Sequence, residues 1–159
     1  MQLADAAEIL PRTAIFTHRR TGSLGPFADW FRYRLLHRYG GIWVDTDVVC
    51  LRPFDDAEPI VFGWEDARYV NTAVLGLPAG HPLAAWLAEA CEHPNRIHPY
   101  DRWPRRLRKL VRRRLLGDRR DRVRWGEYGP KGFTRAVHYF GLLGAAKPVE
   151  EFYPVPCAG

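Results

Sequence analysis

Cysteine is scarce in this 159-residue chain: Cys50, Cys91 and Cys157 are an odd, scattered set with no CxxC spacing. That suits a reducing cytosol better than a disulfide framework. Each thiol is then expected to act as a small buried hydrophobe. No apolar run approaches the roughly 20 residues that a membrane span needs. The opening "MQLADAAEIL" lacks the basic flank and apolar stretch of a secretory signal, so a cytoplasmic protein is expected. The six histidines show no metal-ligand spacing, and His93 and His98, either side of Pro94, read as loop residues. Repeats and low-complexity tracts are absent too, apart from one arginine-rich stretch.

What is present is ordinary globular composition, with 47% hydrophobic and 26% charged residues. That length and composition predict a single domain over residues 1–159. The net charge of +6 is local rather than global. Residues 102–124, "RWPRRLRKLVRRRLLGDRRDRVR", hold 12 of the 24 Lys and Arg against only Asp118 and Asp121. That segment is +10 and the remainder is −4. Within it Trp103, Leu107, Leu110, Val111 and Leu115 recur every three or four residues, which predicts an amphipathic helix with an Arg-rich outer face. A solvated face is one reading of this segment and nucleic-acid binding a second. The apolar stripe favours a third, peripheral contact with an anionic membrane or with a phosphorylated glycan acceptor, and no nucleic-acid partner is expected.

The periodicities alternate between helix and strand, so the class is α/β. Residues 5–10 suggest a short helix stopped by Pro11, and "TAIFTHR" a short strand. Phe27, Trp30, Phe31, Leu35 and Tyr39 mark a helix over 27–39, which Gly40-Gly41 ends. Arg34 and Arg38 read as its solvated face. A strand is predicted from Ile42 to Val49, others over "IVFGW" and "NTAVLGL", and a helix over "HPLAAWLAEAC". Phe133 to Leu143 is helical by period, and "FYPVP" is a short extended piece.

The predicted strand 42–49 holds the chemical signal. In "GGIWVDTDVVC" the two acids Asp45 and Asp47 alternate onto one side of the strand, with Cα atoms about 6.6–6.8 Å apart. Adjacent anions in a low-dielectric setting repel, and one takes up a proton unless a cation intervenes. Two hard oxygen ligands suit Mg²⁺ or Mn²⁺ that keeps positions open for phosphates. Three other readings compete. Strand-end turn residues facing solvent would look the same. In a haloacid-dehalogenase-like phosphatase Asp45 would be the nucleophile, but the long helix before the strand and the lack of a suitable later acidic pair argue against it. A glycosidase pair must flank its bond, and two acids side by side on one strand do not.

The stretch "FADWFRYRLLHRYGGIWVDTDVVCLRPFDD", residues 27–56, resembles the DXD signature of sugar-transferring enzymes around glycosyltransferase family 32. The shared pattern is a helix bearing D-x-x-R, then Gly-Gly, an aromatic residue, and D-x-D. The similarity continues through "GWEDARYVNTAVLGLPAGHPL" and, more loosely, "WGEYGPKGFT". The resemblance implies a GT-A fold, a Rossmann-like sandwich around a mixed sheet, acting on a UDP- or GDP-sugar with Mn²⁺ or Mg²⁺. It implies that Asp47 coordinates the ion and that Asp45 holds ribose or sugar hydroxyls, approaching the ion through water. Asp29 and Arg32, three apart on the helix, would hold the donor sugar; Trp43 matches an aromatic site position and Asn71 a residue that orients the donor. For Trp43 strand packing, and for Asn71 a turn or cap, are the competing roles. Gly129-Pro130 matches a loop near the acceptor side. Retention of configuration is implied, with a glycan or lipid-linked acceptor. Family segments before "ADAAEILP" and after "FYPV" have no counterpart here, so the fold is expected to be incomplete at both ends. The alternative is a truncated, non-catalytic glycosyltransferase-like binding module.

Overall fold

A computed structural model describes residues 4–51, 53–54 and 58–152. The first long element, α1 (Gly25–Tyr39), starts with Pro26 in its first turn, where the missing amide costs nothing. It ends at Gly40, whose φ of 66° and ψ of −154° lie in a region open essentially to glycine. The Gly40 amide still donates to the Leu36 carbonyl at 2.8 Å, and a Cβ there would stand 2.4 Å from the Ala79 amide nitrogen.

The chain then runs directly into β1 (Gly41–Val44), which pairs antiparallel with β2 (Val74–Leu77) in the register Gly41 to Leu77 through Val44 to Val74. On the other edge of β2, Val61 and Gly76 exchange both backbone hydrogen bonds. Gly63 makes a parallel bridge to Lys147. The expected mixed sheet is therefore, among the described residues, a two-stranded antiparallel sheet extended by isolated bridges.

Helix α2 (Pro82–Glu92) is capped by the His81 side chain, whose Nδ1 accepts from the Leu83 amide at 3.2 Å. It packs along α1, burying Leu83, Leu87 and Cys91 against Trp30, Tyr33 and Leu36. Helices α3 (Trp103–Leu116), α4 (Pro130–Tyr139) and the four-residue α5 (Val149–Phe152) follow. Phe133 of α4 closes the core, its ring stacked 6.4 Å from Tyr33 and edge-on to Phe62 at 5.4 Å.

Several expectations need correction. The segment "TAIFTHR" overlaps a 3₁₀ turn at Arg12–Ala14 and then runs as irregular chain, with no strand paired to it among the described residues. Residues 60–64 contribute bridges only. The last long helix begins at Pro130 and stops at Tyr139, and a separate 3₁₀ turn covers Leu143–Ala145. In α1 the core face is Trp30, Tyr33 and Leu36, while Tyr39 is exposed. Arg34 and Arg38 are engaged rather than merely solvated: Arg34 pairs with Glu92 and Arg38 donates to the Glu8 carbonyl, each at 2.5 Å. Cys91 is buried as expected, Cys50 is exposed, and Cys157 and all but the first residue of "FYPVP" lie outside the described residues.

The largest correction concerns α3. Its five apolar stripe residues are all exposed, Trp103 at 73% and Leu115 at 75%. Lys109 is buried instead, its Nζ donating to Asp101 Oδ2 at 2.7 Å. Arg105, Arg108 and Arg112 fall on the same inward side and are half-buried. The helix is thus inverted relative to the expected Arg-rich outer face. Asp101, just before the helix with a fully buried side chain, supplies the carboxylate that makes inward cations tolerable.

Candidate active site

The site begins where β1 ends. Asp45 extends the pairing by one residue, its amide donating to the Ala73 carbonyl at 2.8 Å, and the Val48 amide then closes a turn onto the Asp45 carbonyl at 3.1 Å. The strand therefore stops at Val44 rather than Val49. Asp45 and Asp47 do not share a strand face; they sit in a strand-end turn, as the plainest of the competing readings has it. Only Asp47 fits the solvent-facing half of that reading. Asp45 is half-buried and multiply bonded.

Helix α1 supplies the cation. Arg32 Nη2 donates to Asp45 Oδ1 at 2.8 Å, and Nη1 to Asp29 Oδ1 at 3.2 Å. The spacing of Asp29 and Arg32 puts both on one helix face, so one guanidinium joins two carboxylates from different elements. Trp43, two residues before Asp45 and on the same side of β1, donates its indole N–H to Asp45 Oδ1 at 2.5 Å. Its ring also lies under the Arg32 guanidinium, 5.2 Å from the centroid. Trp43 thus combines packing against Phe31 with a direct bond to the acid. Arg32 Nε is buried and has no hydrogen-bond partner among the described residues.

Burial pushes the Asp29 carboxyl up to about 6; Arg32 pulls against that rise and the nearby Asp45 charge adds to it. Gly129 packs alongside, where a Cβ would come 3.7 Å from Asp29 Oδ2. Asn71 uses its side-chain oxygen to accept from the Ala73 amide at 2.7 Å, the turn role foreseen as its competitor. That turn also fixes the Ala73 carbonyl to which Asp45 is bonded. Asp29, Arg32, Trp43 and Asp45 are therefore brought together, Asn71 supports them through one backbone bond, and Asp47 projects alone.

Sequence reasoning missed Tyr33, whose hydroxyl donates to the Tyr128 carbonyl at 2.6 Å and so anchors the 125–129 loop to α1. A buried aromatic among several carries no distinguishing signal in one sequence. A cavity of about 650 Å³ lined by Val44, Val48 and Glu58 lies nearby, but neither Asp45 nor Asp47 lines it.

Residues 11–61, about a third of the chain, match the family model described as glycosyltransferase sugar-binding region containing DXD motif. No curated protein and no solved structure matches the chain. The matched span holds α1, β1 and the D-x-D turn, while Asn71 and the 125–129 loop lie beyond it.

A divalent ion of the kind associated with the DXD motif fits the chemistry of these residues. Asp47 is exposed and engaged by no other described residue, and Asp45 Oδ2 is not among the bonded atoms. No cluster of three or more His, Cys, Asp or Glu poised for a metal occurs among the described residues. Such an open carboxylate pair suits an ion that draws its remaining ligands from water and phosphate oxygens.

Proposed function

We propose that the chain binds a nucleotide-diphosphate sugar through the D-x-D turn and acts as a metal-dependent glycosyltransferase of GT-A type. In this reading the sugar passes, with retention, to a glycan or lipid-linked acceptor. The observation that carries it is the division of labour between the two acids. Asp45 is held by Arg32 and Trp43, whereas Asp47, two residues on, is free to bind.

Asp47 would hold Mn²⁺ or Mg²⁺ against the donor diphosphate, with Asp45 in contact through water. The ion supplies charge neutralisation of the leaving diphosphate. The chain's own contribution is positioning. Arg32 fixes the Asp45 carboxylate so that its free oxygen can accept from a ribose or sugar hydroxyl, and Asp29 offers a second acceptor beside it. Asn71 holds the β2 edge that sets the height of Asp45. Pre-set geometry of this kind removes orientational cost from the bound complex.

We assign α3 to peripheral contact with an anionic membrane on the cytoplasmic side. No helix among the described residues is long and apolar enough to cross a membrane. The support is an outward apolar stripe flanked by exposed Arg106, Arg113 and Arg114, the arrangement of an interfacial helix. Flotation with phosphatidylglycerol vesicles should carry the protein up, and Leu107→Gln with Leu110→Gln should leave it at the bottom. Unchanged flotation of that double variant would remove α3 from the reading.

The donor reading is tested by calorimetric titration of UDP-glucose, UDP-galactose, GDP-mannose and UDP, with and without Mn²⁺. Binding should require Mn²⁺ and be lost in Asp47→Asn. A folded protein that binds none of these overturns the proposal. Binding without transfer or hydrolysis would instead identify a non-catalytic binding module.

A further inference from the structure

Beneath the inner face of α3 lies a cavity of about 820 Å³ that the D-x-D turn does not line. Its walls come from residues 18–20, Pro94-Asn95, the inward side of α3, residues 121–125 and Glu127. Seven cationic side chains line it against two carboxylates, Asp121 and Glu127. Both carboxylates are already paired. Glu127 meets Arg135 at 3.2 Å and Arg108 at 4.0 Å, and Asp121 meets Arg119 at 3.1 Å. Lys109 is likewise held by Asp101.

That leaves Arg19, Arg20, Arg112, Arg122 and Arg124 with no ion-pair partner among the described residues; Arg112 donates to the Arg122 carbonyl, and Arg122 Nε is buried with no hydrogen bond to a described residue. Unbalanced charge of one sign in a recess focuses the field and draws in anions. Guanidinium groups favour multi-oxygen anions such as phosphate, because the paired N–H donors of the planar fork reach two oxygens at once.

The rim adds a second kind of contact. Trp125 is 47% exposed, its ring braced 5.5 Å from the His18 ring and close over Gly25, where a Cβ would come 3.2 Å from the indole. An open indole face beside a cationic recess can cover a sugar ring while its phosphate enters the recess. The loop that carries Trp125 continues to Gly129, which packs on Asp29. One short loop therefore connects this cavity to the donor site.

We propose that the cavity is a binding site for a phosphate-bearing sugar, a phosphomonoester or diphosphate, and that it serves as the acceptor subsite. The acceptor role rests on the glycosyltransferase reading above; binding of the phosphate does not. Pyrophosphate and glucose 1-phosphate, titrated without divalent metal at physiological salt, should bind saturably. Arg122→Gln with Arg124→Gln should weaken that binding by on the order of tenfold or more, as expected for lost charge-assisted bonds. Arg113→Gln with Arg114→Gln removes the same charge from the exposed side of α3 and should leave it nearly unchanged. Asp47→Asn should also leave it unchanged, which separates this site from the metal-dependent donor site. Neutral vesicles doped with phosphatidic acid form a second arm. If they compete with glucose 1-phosphate, the site accepts a lipid-borne phosphate; if they do not, its ligand is a free sugar phosphate. Absence of saturable binding to any probe overturns the proposal. So does equal weakening by the two arginine pairs.

Discussion

Arg32 Nη2 lies 2.8 Å from Asp45 Oδ1, and this bond ties the middle of α1 to the turn that ends β1. Arg32 is 5% exposed and its guanidinium also carries Asp29, so its removal leaves two partly buried carboxylates without their cation. Arg32→Met should lower unfolding stability by about 3–5 kcal/mol, the usual result of orphaning a buried ion. Arg32→Lys, a point charge that cannot fork to both acids, should fall between the two. Urea unfolding at neutral pH measures this, and a midpoint unchanged in Arg32→Met would mean that the clamp contributes nothing.

The two acids of the turn should separate cleanly by substitution. Asp47 is exposed and bonds to no described residue, so Asp47→Asn should change stability by no more than about 0.5 kcal/mol, as for ordinary surface sites. Asp45→Asn weakens two hydrogen bonds and leaves Arg32 partly unpaired, which should cost about 1–3 kcal/mol. Both should abolish Mn²⁺-dependent donor binding. Thermal unfolding of the two variants beside the wild type checks the contrast.

Stability between pH 4 and 6 should be flatter in the wild type than in either of two variants. Asp29 has its carboxyl raised by burial to about 6, so across that range the folded state keeps a proton that the unfolded chain releases. Its contribution to stability falls as pH rises. His98 has the opposite sign. Burial, with Lys109 nearby, lowers it to about 4, so below its ordinary value of 6.5 the unfolded chain takes up a proton that the folded state refuses. Its contribution rises with pH. Each amounts to roughly 3 kcal/mol across its window, so the two largely cancel. Asp29→Asn should expose a rise in stability from pH 4 to 6, and His98→Gln a fall. Chemical unfolding at several pH values in that range reads both slopes.

The helix-to-turn frame of the site was legible in one sequence because each step has its own local signal. Pro26 opens α1, Gly40 closes it with a backbone conformation that other residues avoid, and D-x-x-R puts Asp29 and Arg32 on one face. The end of β1 was not legible. Residues 42–49 are rich in strand-forming side chains, yet the strand stops where the Val48 amide turns back onto the Asp45 carbonyl, just past the point where its partner β2 begins, a limit that the local sequence does not carry. The direction of α3 was also hidden. Its period shows that two faces differ, but which face turns inward depends on Asp101 and Glu127 waiting at the surface it covers. Composition treats Arg and Lys as outward residues and cannot foresee that.

That inversion can be tested on neighbouring positions of one helix. Lys109 and Asp101 form an almost fully buried pair, with side chains 4% and 0% exposed, and Asp101 Oδ2 also accepts from the His98 amide at 2.8 Å. Lys109→Met removes the cation and leaves the carboxylate buried with one backbone donor and a distant Arg105, 3.7 Å away. The expected loss is about 3–5 kcal/mol. Leu110→Gln, one position further along, alters a side chain that is 51% exposed and should stay within about 0.5 kcal/mol of wild type. A helix packed by its apolar stripe would give the reverse ranking, with the leucine costly and the lysine neutral. Paired urea titrations of the two variants therefore decide which face of α3 meets the protein, and with it whether the apolar stripe is free to meet a membrane.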